Sequence, residues 1–285
     1  MDVTDLLIDP LDHSPLTITR DASGTITAIA SQSGTYRVTN GHPDLIPDPL
    51  PADLAARQAL WDKLQDNGNF TYEADPALNL STDDGFAQDF QSATGIKGAV
   101  LDIGCGPQIH SPRYLDGEGI GPVVGLDPLP GAATREFPFL IGISEALPFA
   151  DASFDGVVFC RSLDHVLDTA SALREAMRVL RPGGTLCVVM DLMSDERQSL
   201  VARLSHLASR GMGQFIKSAR AHGVIHAARY IWTVGTLKVP EGAEDMFHMH
   251  FPSTEEVEGV LRETGCTDVR FHNLSEDETI CIAVK

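Results

Sequence analysis

The sequence predicts an α/β protein built on a mostly parallel sheet covered on both faces. Short apolar runs recur through the middle of the chain: AVLDI (99–103), VVGLD (123–127), the weaker FPFLIG (137–142), FDGVVFC (154–160) and TLCVVMD (185–191). Each has the length of a buried strand and is too short for a helix. Between the last two lies TASALREAMRVL (169–180), a clean amphipathic helix. Strands that alternate with helices pair in parallel. A glycine turn, Gly104-Cys105-Gly106, follows the first run. An open parallel sheet binds ligands there, beyond the carboxyl ends of its strands.

Ahead of this region, residues 1–50 read as a small β-rich unit. LTITR (16–20), TITAIA (25–30) and TYRVT (35–39) are strands, separated by turns at Ser23-Gly24 and Ser33-Gly34. GHPDLIPDPLP then blocks regular structure with its four prolines. Residues 51–96 are a cover segment. Its first part, 51–66, is helical, with Leu54, Leu60, Trp61 and Leu64 near one face. The remainder, with Phe70, Tyr72, Phe86 and Phe90 among Asp and Ser, is either a long connection or a helix that closes over something.

The third region, 97–285, holds the parallel strands. Helix 169–180 starts at a cap on Asp168 or Thr169 and stops at Arg181-Pro182-Gly183-Gly184. Residues 194–246 form a helical insertion after the fifth run. Helix 253–266 opens at Ser253 with Glu256 three residues on. CTDVRFH (266–272) and TICIAV (279–284) close the chain as an antiparallel edge.

Composition excludes several classes. The formal charge of −19 makes nucleic acid an unfavourable partner. Arg197 to Lys238 inverts that balance, with seven basic residues and no acidic ones. No apolar run reaches the ~18 residues of a spanning helix, so stable membrane insertion is not expected. The acidic start, MDVTDLLIDP, lacks a signal-peptide pattern, and a cytoplasmic location is the expectation. Five scattered cysteines without a CxxC pair read as buried thiols.

Glycine lets the backbone turn sharply and approach a ligand. Asp102 ends the first strand and Asp127 the second, where a carboxylate accepts hydrogen bonds from ribose hydroxyls. GCGPQIHS has no third glycine. A nucleoside-bearing cofactor without a pyrophosphate is therefore expected, rather than a dinucleotide. The alternative is a purely structural turn.

VLDIGCGP, VVGLDP, ISEALPFADASFDGVVF and ALREAMRVLRPGG, in that order and spacing, resemble the class I S-adenosylmethionine-dependent methyltransferases. The subgroup most alike is the small-molecule group with the quinone-biosynthesis C-methyltransferases. The resemblance is strong over about residues 97–191 and weak over 247–285. It implies a Rossmann-like, doubly wound sheet of seven strands with an antiparallel last strand, and S-adenosyl-L-methionine as cofactor. Gly104 and Gly106 would line its methionine part, Asp102 would orient its amino group, and Asp127 would hold both ribose hydroxyls. Pro128 and Leu129 would border the adenine, Ser144 and Glu145 would meet its edge, and Arg161 and Ser162 would contact cofactor or substrate. Two positions depart from the family: Gln108 stands for a third glycine, and Ile143 for an aspartate that reads the adenine amino group. DPLDHSPL with GTYRVTNGHPDLIP resembles a zinc-ribbon-like domain associated with methyltransferases. The family's cysteines are absent here, so a metal-free relic is implied.

The resemblance implies methyl transfer, in line, to an O, N or C nucleophile of a small organic metabolite. His165 follows the fourth strand and reads either as a base near neutrality or as a hydrogen-bonded supporting residue. FHMHF (247–251), if extended, puts His248 and His250 on one face, to bind a metal, deprotonate a hydroxyl or shape the pocket. Two histidines are half of a metal site; Asp164, Asp168 or Glu244 could complete one, but nothing in the spacing demands it, and no metal is expected. The insertion reads as a lid, with Leu200, Leu204, Leu207, Phe215, Ile216, Ile225 and Trp232 inward. Its Arg203, Arg210, Lys217, Arg220 and Arg229 either attract the acidic body, bind an acceptor carboxylate or phosphate, or face a membrane surface. The sequence leaves oligomeric state open. Competing functions are a non-catalytic scaffold or regulatory partner on the same fold, a protein methyltransferase, and a nicotinamide-dependent reductase.

Overall fold

In the computed structural model the centre of the molecule is β5 (Gly98–Ile103), flanked in parallel by β6 (Ile120–Asp127) and β8 (Phe154–Cys160). The structure describes residues 2–74, 84–131, 134–192, 215–216, 218–220, 223–234, 237–266, 268–275 and 277–285. Beyond β6 lies β7 (Phe139–Ile141), and beyond β8 lies β9 (Leu180–Asp191), both parallel. The chain runs outward from β5 in one direction and then in the other. The order therefore reverses between β5 and β8, where such sheets form a crevice.

The sheet has eleven strands rather than seven. The extra ones come from the amino-terminal region. β1 (Thr17–Arg20), β2 (Ile26–Ala30), β3 (Thr35–Thr39) and β4 (His42–Asp44) form an antiparallel meander. β4 then pairs in parallel with β7 through Asp44 and Ile141. It includes Pro43, in a segment whose prolines were expected to exclude regular structure. A three-residue strand tolerates this because the proline needs to donate no ladder bond at its position. At the far edge β10 (Asp268–Asn273) and β11 (Glu278–Val284) are antiparallel, with β11 seated between β9 and β10. The full order is β1-β2-β3-β4-β7-β6-β5-β8-β9-β11-β10.

The amino-terminal turn is closed by a carboxylate. Asp9 is fully buried and accepts hydrogen bonds from the Leu11 and Asp12 amides (2.8 and 3.2 Å) and the Tyr36 hydroxyl (2.9 Å). Leu7, Ile29 and Leu45 join the main core, so this region packs as part of the sheet.

Strand alternation sends successive residues to opposite faces. Leu101 and Ile103 of β5, with Val157 and Phe159 of β8, face α3 (Thr169–Val179) and α5 (Thr254–Glu263). Asp168 caps α3 by accepting from the Ser171 amide, and Ser253 caps α5 by accepting from Glu256. Val100, Val158 and Val189 face the other way, onto α2 (Asp84–Thr94) and a 3₁₀ turn at Arg113–Leu115. Phe90 and Tyr114 meet there with ring centroids 5.1 Å apart. No α-helix follows β5 or β6 among the described residues. Pro107 and Pro112 explain the first case, since each lacks an amide and Pro112 biases Ser111 away from helix. Helix α2, which precedes β5, covers that face instead.

Helix α1 runs from Ala52 to Ala74, longer than its sequence periodicity suggests, and lies along the carboxyl edge of the sheet. In the insertion, α4 (Val224–Val234) is described, while Leu200, Arg203, Leu204, Leu207, Arg210 and Lys217 lie outside the described residues. Ile216, Ile225 and Trp232, expected to face inward, are exposed, at 42%, 87% and 75%. Ala227 and Tyr230 are the buried side of α4. No helix among the described residues is long and apolar enough to cross a membrane.

Candidate functional site

The glycine turn begins where β5 ends. Gly104 and Gly106 both have left-handed φ, at +75° and +72°. A Cβ on Gly104 would overlap Ser162 Cβ, so both backbone and packing require glycine. Ser162 Oγ donates to the Ile103 carbonyl at 2.6 Å and ties the ends of β5 and β8 together. Asp127 closes the turn from β6. Its two oxygens accept from the Gly106 and Leu129 amides, at 2.8 and 2.9 Å. Burial pushes the Asp127 carboxyl up, against the lowering effect of those two amides. Gln108 donates its side-chain amide to the Cys105 carbonyl at 2.8 Å. Where a third glycine was expected, a side chain thus braces the turn.

Above this turn lies a cavity of about 470 Å³ at the carboxyl ends of β5, β6 and β8. That volume is in the range of small-molecule sites. Gly104, Asp127, Pro128, Ser144, Glu145 and Arg161 line it, and so do Leu129, Ser162, His165 and His248. Ile143 is also in the wall, buried and apolar. Gly106 is not in the wall; its amide holds Asp127 from behind.

Two expected residues point elsewhere. Asp102 is fully buried on the α2 face, where both carboxylate oxygens lie 3.0 Å from the donating Tyr114 hydroxyl. Strand alternation turns it away from the cavity that Ile103 reaches. Burial pushes its carboxyl up to about 7, the Tyr114 hydrogen bond opposing that rise. His250 is exposed and its Nε2 lies 2.8 Å from Glu256. Residues 247–251 are not extended, so His248 and His250 diverge.

Glu145 and Arg161 have structural work beside their place in the wall. Glu145 Oε1 accepts from the Leu167 and Asp168 amides, and Oε2 from Ser144 Oγ at 3.0 Å. Its burial raises the carboxyl pKa against these hydrogen bonds. Arg161 pairs with Glu278 through Nε and Nη2, and its guanidinium lies 4.2 Å from the Phe86 ring centre.

Beside the cavity, Asp164 meets two of the wall residues, His165 and His248. Asp164 Oδ1 is 3.7 Å from His165 Nε2, and Asp164 Oδ2 is 3.4 Å from His248 Nε2. His165 Nδ1 lies 2.9 Å from the Phe247 carbonyl, and His248 Nδ1 lies 2.7 Å from Asp245 Oδ2. Burial lowers the His248 pKa, but the Asp245 hydrogen bond and the charges of Asp164, Asp245 and Asp191 outweigh it and hold it above the usual histidine value.

Several residues were missed from sequence. Trp61, Tyr72 and Tyr230 line the cavity, and Trp61 Nε1 donates to the His165 carbonyl at 3.0 Å. Their signal was an aromatic residue on a helix, which a core reading absorbs equally well. Arg135 donates to the Gly106 and Gln108 carbonyls at 2.9 Å each and lies 3.5 Å from the Phe139 ring centre. Nothing in its surroundings in sequence marks it. Asp245 sits three before His248, a spacing that does suggest a side-chain pair.

A left-handed glycine turn, a strand-end carboxylate and a cavity above them define an α/β protein with a candidate ligand site at the carboxyl edge of its sheet. Residues 101–188 match the family model described as a methyltransferase domain, and this span runs from β5 to β9. A demethylmenaquinone methyltransferase of Mycolicibacterium paratuberculosis is 38% identical over 118 residues, 39% of this chain and 50% of its own length. An O-methyltransferase of Penicillium expansum is 36% identical over 107 residues, 34% of this chain and 38% of its own. The chain spans about half the length of the first curated relatives it matches. Among solved structures, a 1,6-didemethyltoxoflavin-N1-methyltransferase of Burkholderia thailandensis aligns with a TM-score of 0.48 at 13% identity, covering 84% of this chain and 93% of that one.

Proposed function

We propose that the chain is an S-adenosylmethionine-dependent methyltransferase acting on a small organic acceptor. One observation leads to this reading: the span matching a methyltransferase domain supplies Gly104, Asp127, Ser144, Glu145, Arg161 and His165, all in one cavity wall. The residues fit the cofactor in three respects. Asp127 offers carboxylate lone pairs beyond its two amide bonds for a ribose diol. Gly104 presents backbone without a side chain. Leu129 and Ile143 offer apolar surface for a base. When bound, the cofactor supplies a methyl group already activated by its sulfonium. The chain then has to bind, orient and exclude water.

Trp61, Tyr72, Tyr230 and Phe247 give the wall four aromatic side chains, which suits a flat, unsaturated acceptor. The names of the relatives, one acting on demethylmenaquinone, agree with that class. Arg161 is the guanidinium in the described wall, and it is committed to Glu278, so a carboxylate or phosphate on the acceptor is not part of this reading.

Asp102 favours a second reading, a non-catalytic protein of the same fold, because its carboxylate serves Tyr114 and not the cavity. Calorimetric titration with S-adenosylmethionine and S-adenosylhomocysteine tests the cofactor site on which the first reading depends. Saturable one-site binding, weakened at least ~10-fold in Asp127→Ala, is expected. No binding by folded protein, or unchanged affinity in the variant, would overturn the proposal.

A further inference from the structure

We propose that Asp164, with the cavity-wall residues His165 and His248, forms a site for one divalent transition-metal ion at the edge of the cavity, taking an oxygen-bearing acceptor at its open positions. The sequence reading expected no metal; the geometry points to one. A ligand atom from each of the three side chains lies within 4.8 Å of the others. Tetrahedral ligands with bonds of about 2.0–2.1 Å stand about 3.3 Å apart. Asp164 turns one oxygen to each ring, Oδ2 at 3.4 Å from His248 Nε2 and Oδ1 at 3.7 Å from His165 Nε2, so the carboxylate bridges the two rings and a small turn of it would bring one oxygen to ligand spacing from both.

Both rings are already turned for the task. His165 Nδ1–H donates to the Phe247 carbonyl, which leaves Nε2 as the lone-pair nitrogen. His248 Nδ1–H donates to Asp245, the carboxylate–histidine arrangement that orients metal-bound imidazoles. Asp164 Oδ1 is buried and accepts no hydrogen bond among the described residues. An orphaned carboxylate oxygen is costly, and a cation would satisfy it.

The backbone behind the group is fixed from several sides. The Asp164 carbonyl accepts from the Met249 and His250 amides at 3.0 and 3.3 Å. Trp61 holds the His165 carbonyl, and Asn67 donates to the Met246 carbonyl at 2.8 Å. Two imidazoles and one carboxylate suit Zn²⁺, Mn²⁺, Fe²⁺ or Co²⁺ rather than Mg²⁺ or Ca²⁺, which take oxygen. Three protein ligands leave open positions, and two of the ligands, His165 and His248, line the cavity. A hydroxyl bound there would have its pKa lowered and would release its proton to solvent. That assignment of the acceptor as a hydroxyl rests on the methyl-transfer reading; the affinity for metal does not.

The test uses the untagged full chain, stripped with chelator and titrated separately with ZnCl₂ and CoCl₂ by calorimetry, with cobalt binding also followed by visible absorption. One ion per chain is expected. Asp164→Asn and His248→Gln should bind at least ~10-fold more weakly, and Asp245→Asn about 10–100-fold more weakly. His250→Ala, outside the cavity, should bind as wild type. Circular dichroism checks folding, and Asp245→Asn, which leaves the three ligands in place, stands in should a ligand variant unfold. Absence of stoichiometric binding by folded wild type, or wild-type affinity in the folded variants, would overturn the site. Titration of the same samples with S-adenosylhomocysteine separates the two readings. Metal binding without nucleoside binding supports the site and overturns the methyl-transfer reading; the reverse overturns the site alone.

Discussion

Gly104 shows how much one missing methyl group decides. An L-residue in left-handed backbone costs about 1–2 kcal/mol, and forcing a carbon against Ser162 costs about 1–3 kcal/mol. Gly104→Ala should therefore lose about 2–5 kcal/mol in urea unfolding, with part restored by adding Ser162→Gly. Asp102 makes a second prediction. Its folded carboxyl is raised from 3.8 to about 7, so it binds a proton more tightly folded than unfolded. The stability this gives is complete below 3.8 and is lost as pH rises through about 7. Asp102→Asn removes that dependence, so the variant should gain on wild type as pH rises from 3.8 to about 7 and hold that gain above it, followed by thermal melts. The contrast of the two aspartates also shows what residue-level reading reaches. Both end strands beside a glycine turn, and sequence treats them alike. Asp127 is the last residue of β6 and opens onto the cavity; Asp102 is one short of the end of β5, and alternation sends it to Tyr114.

At the scale of elements, the connection from β8 to α3 is where support for the cavity concentrates. Glu145 sits in a 3₁₀ turn over twenty residues earlier, yet accepts the amides of Leu167 and Asp168. Glu145→Ala leaves the amides of buried Leu167 and half-buried Asp168 without this partner, at about 1–3 kcal/mol for the buried one and less for the other. Amide exchange at Leu167 and Asp168 should accelerate in that variant, while exchange in β5 should change only by the global loss. Ser253→Ala, at an ordinary helix cap, should cost about 1 kcal/mol without touching the cavity. The capped helices and central strands were legible because their signals are local: period, cap, stop. The absence of helices after β5 and β6 was less so. Prolines hinted at it, but α2 taking over that face is a tertiary choice that no window of sequence contains.

For the whole molecule, the amino-terminal meander was legible as strands but not as part of the main sheet. The link is slight in backbone terms: one parallel register pair, Asp44 with Ile141, and the Leu45 amide on the Ile141 carbonyl at 2.8 Å. It is large in side-chain terms, since Leu7, Ile29 and Leu45 are buried in the core shared with β6 and α3. Deleting residues 2–50 should leave β7 as a bare hydrophobic edge and abolish cooperative unfolding, as read by calorimetry. The net charge of −19 sets a further expectation: self-repulsion is relieved by salt, so the midpoint of melting should rise between low and about 0.5 M NaCl. The pairing of β4 with β7 also sets an order in time. β4 is made about a hundred residues before its partner. At about 5–20 residues per second of synthesis, the meander waits roughly 5–20 s with one edge unsatisfied. During that interval Leu7, Ile29 and Leu45 have none of the core that later covers them, so the nascent segment offers exposed apolar side chains and an open strand edge to whatever binds it.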